Sequence, residues 1–247
     1  MEDALQKSTL IITKAKENGA TLRLIGGLAF RQHCRELDFC EREYGDIDLV
    51  GLSSEAPIII KTLIDLGYKE NARYTLTSGG TRFLFEKFES KDHVDIFLDK
   101  LRMEHDIDLR QRLSLEEFTI SVSDLLVCKL IILNFNEKDY RDIITIVKDL
   151  DIGEDDLPST INMDYIGRIC SRNWGLYHDV TNSIDECIEF IENYHLEEEV
   201  AQKVVMRFNA IRKAIDQYPK SGRWKFRRYI GESYPWRKTV ELERVER

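Results

Sequence analysis

A chain of 247 residues, 43% hydrophobic and 33% charged, has enough apolar matter for a core and suits one large domain or two modest ones. No apolar run approaches the roughly 20 residues that cross a bilayer. The acidic, amphipathic start MEDALQKSTL lacks the basic-then-apolar layout of a signal peptide, so the expected setting is cytoplasmic with no membrane partner. The net charge of −9 argues against a surface coated for indiscriminate nucleic-acid binding.

Residues 3–18 read as an amphipathic helix stopped near Gly19. A short apolar run at 22–25 has a strand's length and enters Gly26–Gly27, after which 28–37 is helical in pattern. Residues 46–50 read as a strand. Ser53–Ser54 can cap a helix over 55–66, with Pro57 in its first turn and Gly67 closing it. Strands follow at 82–88 and 93–98, and the polar stretch 89–92 suits the turn between them. After residue 121 the pattern becomes helical: 124–133 capped by Ser123, 137–150 capped by Asn136, then 164–170, 174–194 and 196–217. The reading is α+β: a small mixed sheet with helices over 1–121, an all-helical segment over 122–218, and a basic, aromatic extension over 219–247. That extension holds nine Lys/Arg against four Glu, a net of +5, which leaves −14 for the remainder. It reads either as an ordered extension packed on the body or as a mobile arm.

Five cysteines, Cys34, Cys40, Cys128, Cys170 and Cys187, are odd in number, scattered, and without a CxxC pair. Neither a disulfide framework nor a zinc site is expected, and packed, reduced thiols are.

In Tyr44-Gly45-Asp46-Ile47-Asp48-Leu49-Val50, strand alternation puts Asp46 and Asp48 on one face and Ile47 and Leu49 on the other. Two carboxylates on one strand face repel each other unless a cation lies between them, and Mg²⁺ (or Mn²⁺) accepts such hard oxygen ligands. In His93-Val94-Asp95-Ile96-Phe97-Leu98, Asp95 opposes an apolar face and joins the pair if the two strands are neighbours. A D-x-D pair on a half-exposed strand is more commonly a solvated face, so the pattern needs company to carry chemistry. Gly26–Gly27 supplies some: backbone amides where a strand opens into a helix can approach a phosphate closely. Lys129 sits inside the apolar run 125–133, where it either meets an anion such as a triphosphate or snorkels to the surface. Asp139 forms a capping pair with Asn136. Asp142 either orients Lys129 or Lys138 or is solvated.

The order Ile25-Gly26-Gly27, Asp46-Ile47-Asp48, Val94-Asp95-Ile96 resembles the nucleotidyltransferase superfamily typified by DNA polymerase beta. Arg42, four residues before the first Asp, looks like the arginine often found there. Ser123-Asp124-Leu125-Leu126-Val127-Cys128-Lys129-Leu130 and Lys138-Asp139-Tyr140-Arg141-Asp142-Ile143 look like two segments of the AbiEii-like branch, which includes toxins of toxin–antitoxin systems. The resemblance spans roughly residues 20–150 and fades beyond. It implies transfer of an NMP from an NTP to a hydroxyl on RNA (tRNA among the candidates) or on a protein. Asp46, Asp48 and Asp95 would hold metal, Lys129 would offset triphosphate charge, and Gly26, Gly27, Arg42, Lys138 and Asp142 would bind nucleotide. An antitoxin protein is the partner such a toxin would have. The competing expectation is a retired, nucleotide-sensing or protein-binding module on the same fold. The aromatic residues of the extension, Trp224, Phe226, Tyr229, Tyr234 and Trp236, either stack on RNA bases or pack in the core, and packing is the commoner fate.

Overall fold

The computed structural model describes residues 4–87 and 92–238. The turn expected at 89–92 lies outside them, apart from Asp92, which already belongs to a strand.

The first half is a five-stranded sheet with helices around it. α1 (Ala4–Glu17) buries Ile11, Ile12 and Ala15 at helical spacing and stops before Gly19, whose φ of 88° suits a residue without Cβ. β1 (Leu22–Ile25) runs straight into α2 (Gly26–His33), followed by the single turn α3 (Leu37–Cys40) and β2 (Asp46–Gly51). After α4 (Ala56–Asp65) come β3 (Lys69–Glu70), α5 (Ala72–Thr77), β4 (Arg82–Lys87) and β5 (Asp92–Leu98). Strand order is β1-β2-β5-β4-β3, with β2 and β5 parallel and the other neighbours antiparallel. The apolar alternation seen in the sequence packs one face: Ile47, Leu49, Val94 and Ile96 are fully buried. A two-stranded ribbon, β6 (Lys100–Arg102) and β7 (Asp106–Asp108), leads away from the sheet.

In the second half, α6 (Val122–Leu130) and α7 (Glu137–Asp149) precede β8 (Asp151–Gly153) and β9 (Thr160–Asn162). Then follow α8 (Met163–Arg172), α9 (Trp174–Phe190), α10 (Glu198–Gln217) and α11 (Gly222–Ile230). One apolar cluster runs through both halves, from Ile11 to Ile215, and α2 packs against both α6 and α7. No helix among the described residues is long and apolar enough to cross a membrane.

Several expectations are corrected. The helix expected over 28–37 ends at His33, because the Arg35 amide is captured by the Asp149 carboxylate of α7 at 2.7 Å and the chain turns there. Ser53 and Ser54 form a single 3₁₀ turn with no side-chain cap, and α4 starts only at Ala56. Ser121, not Ser123, caps α6 by accepting from the Asp124 amide; Ser123 Oγ instead accepts from the Asn162 amide at 2.7 Å and joins α6 to β9. The second half is not all helical, since β8 and β9 pair as a short parallel ladder. The Asn136 cap is as read, with Asn136 and Asp139 completing a reciprocal capping box.

Within the described residues the extension packs on the body. Trp236 Nε1 donates to Asp179 at 3.0 Å and Arg237 grips the same carboxylate at 2.8 and 2.9 Å. Asp179 also meets buried His105 at 2.7 Å; despite burial, these donors hold its carboxyl well below the usual range. The fate of the aromatic residues is split: Trp224 is buried, while Phe226, Tyr229 and Tyr234 face solvent.

Candidate active site

Register decides the carboxylates. In the parallel β2–β5 pair, Asp48 lies opposite Asp95 and Asp46 opposite His93. Partners across neighbouring strands sit about 4.8 Å apart and point to the same side, so Asp46, Asp48 and Asp95 share one face, away from buried Ile47 and Leu49. Asp48 feels the crowding. Burial first, then the charges of Asp95 and Asp46, push its carboxyl up to about 7, while Arg82 and Lys129 pull it down.

Asp95 faces a partner the sequence did not single out. Arg82 of β4 reaches across with Nε 2.7 Å from Asp95 Oδ1 and Nη2 on the second oxygen, and its guanidinium lies 4.2 Å from the centre of the Phe97 ring. Among the described residues, no group of three or more His, Cys, Asp or Glu side chains converges in a metal-holding arrangement. The donor chemistry nevertheless fits a divalent cation at Asp46 and Asp48: hard oxygens on one face, with the Asp48 carboxyl raised by burial first and then by its acidic neighbours. Asp95 fits such a set only by releasing Arg82.

The glycine pair closes against this face. Ile25 pairs with Asp48, and the next residue, Gly26, has a φ of 66°, so the chain turns directly beside the carboxylate. A Cβ on Gly26 would stand 2.3 Å from Asp48 Oδ2. Both the backbone angle and the contact therefore demand glycine. α2 opens at Gly26 with no side-chain cap, which leaves its first amides for an anion. Gly26→Ala is expected to destabilise the fold by about 1–3 kcal/mol through strain at positive φ and to displace Asp48. Thermal unfolding checks the first, and Mg²⁺-dependent nucleotide binding the second. Wild-type values for both would contradict the contact.

A charged network forms the opposite wall. Lys129 Nζ lies 2.7 Å from Asp139 and 3.0 Å from Asp142, under the Phe30 ring at 5.6 Å. Arg42 Nη2 pairs with Asp142 at 2.9 Å, its Nη1 donates to the Lys138 carbonyl at 3.2 Å, and its guanidinium stacks 4.7 Å from the Tyr44 ring centre. Gly27 makes room for it, since a Cβ there would be 2.7 Å from Arg42 Nη2. Lys129 is thus neither snorkelled nor open on the cleft; two carboxylates enclose it, and Asp142 orients it. Lys138 enters through its backbone alone, with an exposed side chain. Asp139 both caps α7 and pairs with Lys129, a double role hidden until α6 and α7 pack.

One cysteine expectation is overturned. Cys34 and Cys40 form a disulfide across six residues, while Cys128, Cys170 and Cys187 are free thiols. The pairing depends on the chain reversing after His33, which is a tertiary event. The stapled loop is tied to α7 by the Arg35–Asp149 hydrogen bond and a Glu36–Lys148 ion pair at 2.8 Å, just ahead of Arg42.

No protein-family model matches the chain, and no curated protein matches it.

Proposed function

We propose that the chain is a metal-dependent nucleotidyltransferase. The observation that carries this reading is the register of Asp48 beside Asp95, with Asp46 on the same face and Gly26 in contact with the Asp48 carboxylate. Asp46 and Asp48 would hold a divalent cation, Mg²⁺ or Mn²⁺, whose chemistry is to neutralise triphosphate charge. The Gly26–Gly27 amides at the start of α2 would hold phosphate oxygens. The reaction joins an acceptor hydroxyl oxygen to the α-phosphorus of an NTP and breaks the bond to pyrophosphate; the hydroxyl proton passes to a carboxylate or to water. Lys129 and Arg42, paired with Asp139 and Asp142, form a charge-balanced wall whose cations would meet a triphosphate by exchanging those carboxylates for phosphate oxygens. Asp95, opposite Asp48 across the strand pair, adds its charge to the burial that raises the Asp48 carboxyl.

The test is incubation with each α-labelled NTP, Mg²⁺ and total RNA or lysate, beside Asp46→Ala and Asp48→Ala variants. Label on RNA or protein that vanishes in both variants supports the reading. No transfer and no metal-dependent NTP binding would overturn it. A second reading, a nucleotide-sensing or protein-binding module without catalysis, is favoured by one observation: Asp95 is held by Arg82. Metal-dependent NTP binding without transfer to any acceptor would select it. The resemblance to toxins makes a restraining antitoxin the protein partner to test, by relief of growth arrest on co-expression.

A further inference from the structure

We propose that α11, with the groove beside it, is a docking surface for single-stranded RNA. α11 carries four Lys/Arg and no acidic residue, in a chain whose remainder before residue 219 is −14. Ser221 caps it, and only Trp224 turns inward, 4% exposed, with its ring edge-on to Tyr177 at 5.1 Å. Apart from Gly222 at its start, the exposed positions of α11 are cationic or aromatic: Arg223, Lys225, Phe226, Arg228 and Tyr229. Phe226 is 69% and Tyr229 92% exposed, so neither ring contributes much to folding by burial. Lys225, Arg228 and Tyr229 share one helical stripe by their spacing, with Phe226 one turn from Tyr229.

The adjoining open groove has a volume of about 590 Å³ and is lined by Tyr177, Asp216, Lys220, Trp224, Lys225 and Arg228. Asp216 is already engaged by Arg212 at 2.6 Å and by the Tyr177 hydroxyl at 2.8 Å, and Lys220 by the Tyr218 carbonyl at 3.0 Å. Lys225 and Arg228 are thus the cations left to meet a ligand. Trp224 Nε1 is buried and has no hydrogen-bond partner among the described residues. Cations for a phosphate backbone and separate rings for stacking are what an unpaired strand requires. A membrane-surface helix would instead present a continuous apolar face. α11 packs on α9, and α9 on α6, the helix of Lys129. The claim that RNA held here supplies the acceptor hydroxyl rests on the nucleotidyl-transfer reading; RNA binding itself does not.

The test is fluorescence anisotropy of a labelled single-stranded RNA of about 20 nucleotides with the full chain, in EDTA so that the carboxylate site plays no part, between about 50 and 200 mM KCl. Lys225→Glu/Arg228→Glu and Phe226→Ala/Tyr229→Ala alter only exposed positions, and circular dichroism checks that both fold. Each pair is expected to weaken binding by about tenfold or more, and only the charge reversal should flatten the salt dependence. The proposal is overturned if the wild type does not bind RNA at about 50 mM salt, if both variants bind like it, or if the variants lose only binding to phosphatidylserine vesicles or poly-glutamate. RNA binding that drops in the variants of a protein that transfers no nucleotide would uphold the surface and sink the chemistry alone.

Discussion

Asp48→Asn is expected to raise the thermal stability of the metal-free protein at pH 8 while abolishing nucleotidyl transfer. The folded carboxyl has its pKa raised from 3.8 to about 7, so the fold favours the protonated form. Below pH 4 the folded and unfolded chains both carry the proton and the effect vanishes. Between pH 4 and 7 the unfolded chain releases a proton that the folded one keeps, so stability falls as pH rises, and above 7 the whole cost is present. Three pH units correspond to roughly 4 kcal/mol. Asp48 is partly open to solvent, which reduces the expected gain for Asn to about 2 kcal/mol, or about 4–8 °C in Tm for a chain of this size. Millimolar Mg²⁺ should stabilise the wild type and leave the Asn variant unmoved. Loss of a metal-held carboxylate should cost transfer a factor on the order of 10³. Melting curves from pH 5 to 9, with and without Mg²⁺, decide it: a Tm for Asn below wild type at pH 8 would show that the Asp48 carboxyl is not raised by its surroundings, and equal Mg²⁺ shifts in both would show that Asp48 does not hold the metal.

Lys129→Ala should be among the most damaging single changes. It removes the cation between Asp139 and Asp142, both buried, and leaves Asp142 with Arg42 alone. Stranding a buried charge in this way costs about 3–5 kcal/mol. Urea unfolding of the apoprotein measures it. If the loss comes from stranded charge, Lys129→Ala/Asp139→Asn recovers part of it, because Asp139 is the carboxylate left without a cation while Asp142 keeps Arg42. A Lys129→Ala protein as stable as wild type, yet weak in NTP binding, would place Lys129 on the triphosphate after all.

Much of this site was legible because its parts are local. Alternation alone puts Asp46 with Asp48 and buries Ile47 and Leu49. The β1 strand reads correctly to the residue, and Asn136 with Asp139 announces the start of α7. Gly26 is legible as a turn, but its true constraint, the Asp48 carboxylate where a Cβ would be, is not, since strand and helix must first meet.

What the sequence by itself determined is periodicity and spacing: where strands and helices run, which faces are apolar, and which acidic residues share a strand face. Only the tertiary structure decided partners. It set Asp95 beside Asp48 through β2–β5 register, gave Asp95 to Arg82, enclosed Lys129 between two α7 carboxylates, and joined Cys34 to Cys40. Each of these depends on the relative placement of elements far apart in the chain, and pairing of charges and thiols follows distance in space, which period along a strand or helix does not encode.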